Sequence, residues 1–169
     1  DYLKIIDLLY SIGHCWRIMK KKIIPFSVLG VDISPLIREE IISMKGLHSA
    51  IIGLLNYRFV WRIKEHGVRV RLVIDWFENQ VVDKGWNAGF NVFYPNVKTL
   101  GYCGQIPSRN YLCSFPSECE KKNGLLPSEI AVVGEGMVGV IKELFSDLQV
   151  KRSPAFRFKH LWDEKNIIP

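Results

Sequence analysis

The order of the segments between residues 68 and 151 constrains the fold of this chain most, because strand-like and helix-like patterns alternate there. Strands are predicted over 68–76, 97–102, 130–133 and 148–151, and helical patterns lie between them over 79–90 and 137–148. Such alternation indicates parallel strands joined by crossover helices. We therefore predict an α/β fold with a Rossmann-like, mostly parallel sheet flanked by helices. The strand over 68–76 alternates apolar and polar residues, so its two faces are unequal.

The region before residue 68 is predicted to be mainly helical. An apolar stripe over 3–19 is expected to face the core, although such a helix can also rest on a membrane surface. A short buried strand is expected from Phe26 to Val31, followed by a helix that starts at Pro35. The helix over 48–65 is apolar on most sides, which predicts deep burial. The stripe over 3–19 consists of Ile5, Leu9, Ile12, Trp16 and Met19.

Composition excludes several classes of protein. With 48% hydrophobic and 24% charged residues, the chain can bury a core and is not a disordered segment. A net charge of +6 favours an anionic partner, but the aromatic residues lie at core-type spacing and no recognition module is visible, so we expect no nucleic acid. The four cysteines form no C-x-x-C and have no histidine at ligand spacing, so we expect no metal site and reduced thiols in a cytoplasmic protein.

The chain begins at Asp1 without an initiator methionine and ends in Ile-Ile-Pro, so we interpret both ends as cuts from a longer protein. We assign residues 1–25 to an N-terminal helix and 26–150 to the Rossmann-like domain. Residues 151–169 are then the start of a linker. The long stretch 103–127, rich in proline, serine, glycine and cysteine, is predicted to be an ordered loop of functional importance.

The ends of the predicted strands mark the candidate site, because parallel sheets bind ligands beyond the carboxyl ends of their strands. This rule indicates Asp32, Glu78 and its neighbours, 102–105 and 134–136. Around Glu78, the polar side chains Asn79, Gln80 and Lys84 follow a strand end and can hold hydroxyl groups. Glu78 is the candidate general base on an acceptor hydroxyl. The alternative is that Glu78 and Asn79 only cap the next helix.

A second set of candidates follows the next strand. Gly101 and Gly104 allow a ligand or another segment to approach the backbone closely, and Tyr102 and Gln105 lie beside them. The alternative is an ordinary tight turn. Near the C-terminus, Arg157 with Lys159 and His160 can bind phosphate or carboxylate groups, or form a basic surface.

A third pattern matches the dinucleotide fingerprint G-x-G-x-x-G through Gly134, Gly136 and Gly139, placed after a strand and before a helix. The acidic residue expected about twenty positions later is missing, and Arg152 could meet a 2′-phosphate instead. This pattern supports an alternative function as an NADP-dependent oxidoreductase. Small residues that permit a tight turn would produce the same pattern, and a noncatalytic α/β interaction module is a third option.

The order of several stretches resembles a family of bacterial surface carbohydrate biosynthesis proteins, which are glycosyltransferases of the two-domain GT-B type related to capsule and lipopolysaccharide assembly. The resemblance covers roughly residues 26–162. The matching stretches are Trp76-Phe-Glu-Asn-Gln80 with Asp83-Lys84-Gly85, Gly101-Tyr-Cys-Gly104, Tyr111-Leu-Cys-Ser-Phe-Pro-Ser-Glu118, Leu126-Pro-Ser-Glu-Ile-Ala-Val-Val-Gly134 and Pro154-Ala-Phe-Arg-Phe-Lys-His-Leu161.

The resemblance implies that this chain is the acceptor-side part of a glycosyltransferase. A nucleotide-sugar donor would bind in a second domain, so no cofactor is expected in this fragment, and the acceptor would be a carbohydrate or a lipid-linked carbohydrate. Glu78 would be the base if the reaction inverts the anomeric centre, whereas a retaining reaction would not need it as a base. Gly134–Gly139 would be a turn near the cleft. Related enzymes often carry a histidine after the Gly-Tyr strand, where this chain has Cys103-Gly104-Gln105. A cytoplasmic location with peripheral contact to the inner membrane fits this activity.

Overall fold

The computed structural model describes residues 2–43, 47–106, 108 and 110–158. Short 3₁₀ turns cover Leu112–Ser114 and Phe156–Phe158. The helices are α1 (Ile5–Ile12), α2 (His14–Met19), α3 (Ser34–Ser43), α4 (Leu47–Glu65), α5 (Val81–Phe93), α6 (Glu118–Lys122) and α7 (Glu135–Leu144), and the strands are β1 (Ser27–Val28), β2 (Val31–Asp32), β3 (Leu72–Trp76), β4 (Lys98–Cys103), β5 (Glu129–Val133) and β6 (Val150–Ser153).

The predicted α/β fold is confirmed: β3, β4, β5 and β6 form one parallel sheet in chain order, with helices between them. When neighbouring strands follow each other in chain order and every crossover is right-handed, all the crossover helices lie on the same face of the sheet. The packing agrees, because α5 and α7 both cover the face that carries Val73, Ile130 and Val132. The described strands show no reversal of order, so this sheet has no topological switch point of the doubly wound kind.

The opposite face of the sheet is open at β3. Leu72, Ile74 and Trp76 are 49%, 63% and 45% exposed, whereas Val73 and Phe77 are buried. The alternation predicted over 68–76 is therefore correct within β3, where the apolar residues point away from the helices. Val68 and Val70 precede the strand and pack against the core. The periodicity identifies two faces and does not say which of them the crossover helices cover.

Helices α4 and α5 pack against each other through glycine. A Cβ atom built on Gly85 would lie 1.7 Å from the carbonyl oxygen of Gly53, so the two backbones are in direct contact. Beside this contact, the Asn56 side chain donates a 3.2 Å hydrogen bond to the carbonyl of Val82. In α4 the buried residues are Gly53, Val60, Arg62 and Ile63, and many others are half-buried, so the helix is less deeply buried than predicted.

The N-terminal helix differs from the prediction in two ways. It breaks at Gly13 into α1 and α2, and its apolar stripe is exposed rather than packed on the core. The polar side of α1 faces inward instead: Asp7 is fully buried and its carboxylate accepts hydrogen bonds from Arg58 (2.6 Å) and Arg62 (2.8 Å) of α4. A buried carboxylate needs such partners, so the ion pairs determine which side of α1 contacts α4.

Other boundaries also change. The predicted buried strand from Phe26 to Val31 is an exposed antiparallel pair, β1 and β2, outside the main sheet, so Asp32 does not lie at its edge. Asp32 instead accepts a 2.9 Å hydrogen bond from the backbone of Ser34 at the start of α3.

The predicted loop 103–127 contains α6 and a 3₁₀ turn. The boundary assigned at residue 151 falls inside β6. No described helix has the length and hydropathy needed to cross a membrane.

Candidate functional site

A cleft of about 470 Å³ lies at the carboxyl ends of β3 and β4. Because these strands are neighbours in the sheet, their following loops meet there. The cleft is lined by Ser49, Glu78, Asn79, Gln80, Val81, Cys103, Gln105, Tyr111, Cys113 and Ser114. The structure therefore brings together Glu78, Asn79, Gln80 and Gln105, which the sequence identified from two separate strand ends.

The carboxylate of Glu78 is the centre of a hydrogen-bond cluster. The indole Nε1 of Trp76 and the amide Nε2 of Gln105 both donate to its Oε1, and the Nε2 of Gln80 donates to its Oε2 at 2.8 Å. These donors come from β3, from the start of α5 and from the loop after β4. They hold the half-buried carboxylate of Glu78 in one orientation at the wall of the cleft.

The cap of α5 is made by other residues. Asp83, in the first turn, accepts backbone hydrogen bonds from Glu78 (3.1 Å) and Gln80 (2.9 Å), and Gln80 is the N-cap residue of a capping box. Burial raises the pKa of Asp83 above its usual value, although both backbone N–H groups act in the opposite direction. The side chain of Glu78 is therefore not used to cap the helix, contrary to the alternative left open by the sequence.

Asn79 and Lys84 mainly support the cleft. Asn79 adopts a left-handed backbone (φ 61°) and its amide donates to the carbonyl oxygens of Cys113 (3.2 Å) and Phe115 (2.9 Å). Lys84 donates to the side-chain oxygen of Asn79 and forms a 2.7 Å ion pair with Glu120 of α6. These contacts tie the loop after β4 to the start of α5, and Lys84 itself does not line the cleft.

Gly101, Tyr102 and Gly104 also have packing roles. A Cβ atom on Gly101 would lie 2.8 Å from Phe77 and Pro127, and one on Gly104 would lie 2.3 Å from the ring of Trp76. The ring of Tyr102 is buried, and its hydroxyl donates to the carbonyl of Pro154 at 3.0 Å. The predicted close approach at both glycines is thus an approach of protein segments to each other.

Exposed aromatic rings lie beside the polar wall. Trp76 is 45% exposed, and the guanidinium of Arg157 lies over it, 5.5 Å from the ring centroid. Tyr111, which lines the cleft, is 62% exposed. Arg157 is therefore placed at the same end of the sheet as Glu78, connected to it through Trp76. Lys159 and His160 lie outside the described residues.

The sequence did not single out five residues of the lining: Ser49, Val81, Tyr111, Cys113 and Ser114. Ser49 comes from the first turns of α4, Val81 is the first residue of α5, and the other three come from the loop after β4. The proximity of α4 depends on the glycine contact with α5, which no motif marks. Cys103 lies in the strand end 102–105 that the sequence indicated, and burial raises the pKa of its thiol.

The G-x-G-x-x-G segment forms the turn between β5 and α7. Gly134 is the N-cap of α7 with φ 77°, which explains the need for glycine there. A Cβ atom on Gly136 or Gly139 would meet no atom of the described residues within 4 Å, whereas the third glycine of the fingerprint serves close helix–strand packing. Glu135 also places a carboxylate in the first turn of α7. Arg152 is exposed on the adjacent strand β6.

The described part of the chain contains no group of three or more histidine, cysteine, aspartate or glutamate side chains arranged to hold a metal ion. All four cysteines are free thiols. Searches of known protein families, of curated proteins and of solved structures found no match to this chain.

Proposed function

We propose that the cleft between the ends of β3 and β4 binds a carbohydrate, and that this chain is the acceptor-side part of a glycosyltransferase in which Glu78 receives the proton of the attacking hydroxyl. The observation that carries the proposal is the fixed carboxylate of Glu78 at the wall of a cleft of about 470 Å³. That volume lies within the usual range for small-molecule sites.

The hydrogen bonds of Glu78 leave room for a ligand. A carboxylate has about four acceptor positions, two on each oxygen. Trp76 and Gln105 occupy those of Oε1, and Gln80 occupies one of the two on Oε2. With the donors of the described residues alone, one position on Oε2 is then available to a substrate hydroxyl. The amides of Gln80 and Gln105 and the hydroxyls of Ser49 and Ser114 supply further polar groups around it.

The aromatic rings supply the apolar half of carbohydrate recognition. A sugar ring presents hydroxyl groups at its rim and C–H groups on its faces, so it pairs with polar side chains and with aromatic faces at the same time. Tyr111 lines the cleft with an exposed ring, and Trp76, also exposed, is joined to the cleft wall by the hydrogen bond of its indole Nε1 to Glu78. Arg157, whose guanidinium lies over Trp76, would meet an anionic group on the sugar or its carrier.

In this proposal the nucleotide-sugar is held by a second domain outside these 169 residues, in the manner of a GT-B enzyme of surface polysaccharide or lipopolysaccharide assembly in the bacterial cytoplasm. Glu78 would then act on the acceptor side of an inverting transfer, where a positioned base contributes roughly 10²–10⁴-fold to the rate. The parallel sheet with its site at the strand ends is compatible with this arrangement.

Titration of the chain with neutral oligosaccharides tests the binding step. We expect saturable binding by calorimetry and a shift of the Trp76 indole N–H signal in NMR spectra, assigned with Trp76→Phe. Glu78→Gln should weaken binding by roughly tenfold or more, because it replaces a charge-assisted hydrogen bond. Glu118→Gln is the matched control, since Glu118 is an exposed carboxylate whose partner is Lys122 of the same helix.

The catalytic step needs a protein that contains both acceptor and donor domains. There Glu78→Gln should slow transfer by roughly 10²–10⁴-fold, and Glu118→Gln should leave the rate unchanged. If the wild-type chain binds no sugar saturably, or if Glu78→Gln binds as tightly as wild type, the carbohydrate proposal fails. Normal binding with an unchanged transfer rate would remove only the role of Glu78 as a base.

A further inference from the structure

The first helical segment of the chain presents its apolar side to solvent. The side chains of Ile5 and Leu9 are 79% and 58% exposed, and those of Trp16 and Met19 are 60% and 53% exposed. These residues, with Ile12, share one stripe at helical spacing and form what we call the N-terminal apolar surface. A contiguous exposed stripe of this kind indicates an interaction site, whereas isolated exposed apolar residues do not.

This orientation is held by polar contacts. Asp7 and Ser11 on the other side of α1 are fully buried, and Asp7 accepts hydrogen bonds from Arg58 and Arg62 of α4. Rotating the helix to bury its apolar stripe would expose this carboxylate and remove its hydrogen bonds with Arg62, which is only 4% exposed and would keep Glu65 as its remaining partner. The apolar surface is therefore fixed in an outward position while α1 stays on α4.

Basic residues surround the apolar surface. Lys4, Arg17 and the run Lys20–Lys22 are exposed, and the only acidic residue from 2 to 31 is the buried Asp7. We propose that α1 and α2 lie on an anionic lipid bilayer, with the N-terminal apolar surface in the acyl boundary and these basic side chains at the headgroups. An amphipathic helix with apolar residues and tryptophan on one side and lysine or arginine beside them binds membranes in this way.

The charges favour a bilayer over a second copy of the chain. A symmetric dimer would place the same positively charged patch on both subunits, so like charges would face each other across the interface. Lysine is also depleted at protein–protein interfaces. Each lysine near an anionic lipid surface, by contrast, strengthens binding roughly fivefold. This inference does not depend on the chemistry of the cleft.

Co-sedimentation of the 169-residue chain with vesicles tests the proposal. We expect binding to phosphatidylcholine vesicles that contain phosphatidylglycerol, weaker binding to phosphatidylcholine alone, and loss of the difference at high salt. The double substitution Ile5→Ser and Leu9→Ser should reduce partitioning by roughly 100-fold. The matched control is Leu72→Ser with Ile74→Ser, which removes two exposed apolar side chains from the sheet.

A charge variant, a quenching experiment and a measurement of the oligomeric state complete the test. The triple substitution Lys20→Gln, Lys21→Gln and Lys22→Gln should weaken binding to anionic vesicles by roughly 100-fold. Most of the preference for anionic over neutral vesicles should then be lost. Lipids brominated in the acyl chain should quench tryptophan fluorescence in wild type and much less in Trp16→Phe. Absence of vesicle binding, or equal binding by the Ile5/Leu9 and control variants, would overturn the proposal. Dimerisation that Ile5→Ser and Leu9→Ser abolish, without vesicle binding, would assign the surface to a second copy and also overturn it.

Discussion

Replacing Gly85 by alanine is expected to destabilise the fold strongly, because the backbones of α4 and α5 touch at this residue. The added Cβ atom would lie 1.7 Å from the carbonyl oxygen and 2.8 Å from the Cα atom of Gly53, whereas real Cβ contacts under 3.0 Å essentially never occur. Backbone atoms cannot rotate away as a side chain can, so the helices must separate by more than about 1 Å along their contact.

The cost follows from this separation. A gap of about 0.5–1 Å already removes a quarter to a half of the dispersion energy at a contact, and overpacking of a core costs about 1–3 kcal/mol. We expect Gly85→Ala to lower the free energy of unfolding by about 3 kcal/mol, a large part of the stability of a typical domain. For a chain of this size the melting temperature should fall by roughly 6–12 °C.

Thermal unfolding followed by far-ultraviolet circular dichroism measures this effect. Gly139→Ala is the matched control: it makes the same chemical change inside α7, where a Cβ atom meets nothing within 4 Å in the described part of the chain. It should stabilise the protein by about 0.5–1 kcal/mol, because glycine is unfavourable in a helix interior. If Gly85→Ala has the same melting temperature as wild type, the backbones of α4 and α5 are not in direct contact. The position of Ser49 at the cleft, which depends on that contact, would then be wrong as well.

Two other predictions concern buried charge and cofactor binding. Burial, together with the charge of Asp83, raises the pKa of Asp75 from 3.8 to about 6, and one of its carboxylate oxygens has no hydrogen-bond partner among the residues that the structure describes. A raised pKa in the folded state favours folding below pH 3.8, and this contribution is lost as the pH rises through about 6. Asp75→Asn should therefore gain stability relative to wild type as pH rises, reaching about 3 kcal/mol near pH 8 by chemical denaturation; a difference independent of pH would contradict this. Saturating NADP(H) should leave the melting temperature unchanged, because Glu135 places negative charge where a pyrophosphate would bind; a rise that depends on cofactor concentration would revive the oxidoreductase alternative.

The strands and helices of the main sheet could be predicted because each carries a strong local pattern. Which face of each element is buried could not be predicted. In β3 the apolar residues Leu72, Ile74 and Trp76 point to the open face, because the crossovers cover the other side. In α1 the apolar stripe is turned outward by Asp7, whose partner Arg58 lies 51 residues away in the sequence. Periodicity locates a stripe, but distant contacts decide what covers it.

The candidate site could also be predicted only in part from the sequence. Glu78, Gln80 and Gln105 could be brought together from the sequence, because the ends of neighbouring parallel strands meet at one edge of the sheet. Ser49 and Tyr111 come from segments whose approach depends on helix packing and on the path of a long loop. The packing roles of Gly101 and Tyr102 also needed the structure, since glycine near a strand end can serve a ligand or another segment equally well.

The two carboxylates at the start of α5 explain why Glu78 is available for a ligand. Residues at a helix N-terminus usually bind the free backbone N–H groups, which would make Glu78 a structural cap. Asp83 already satisfies the N–H groups of Glu78 and Gln80 from within the first turn. The carboxylate of Glu78 instead accepts hydrogen bonds from the side-chain N–H groups of Trp76, Gln80 and Gln105. Removing the charge of Glu78 should thus affect binding in the cleft while α5 keeps its cap.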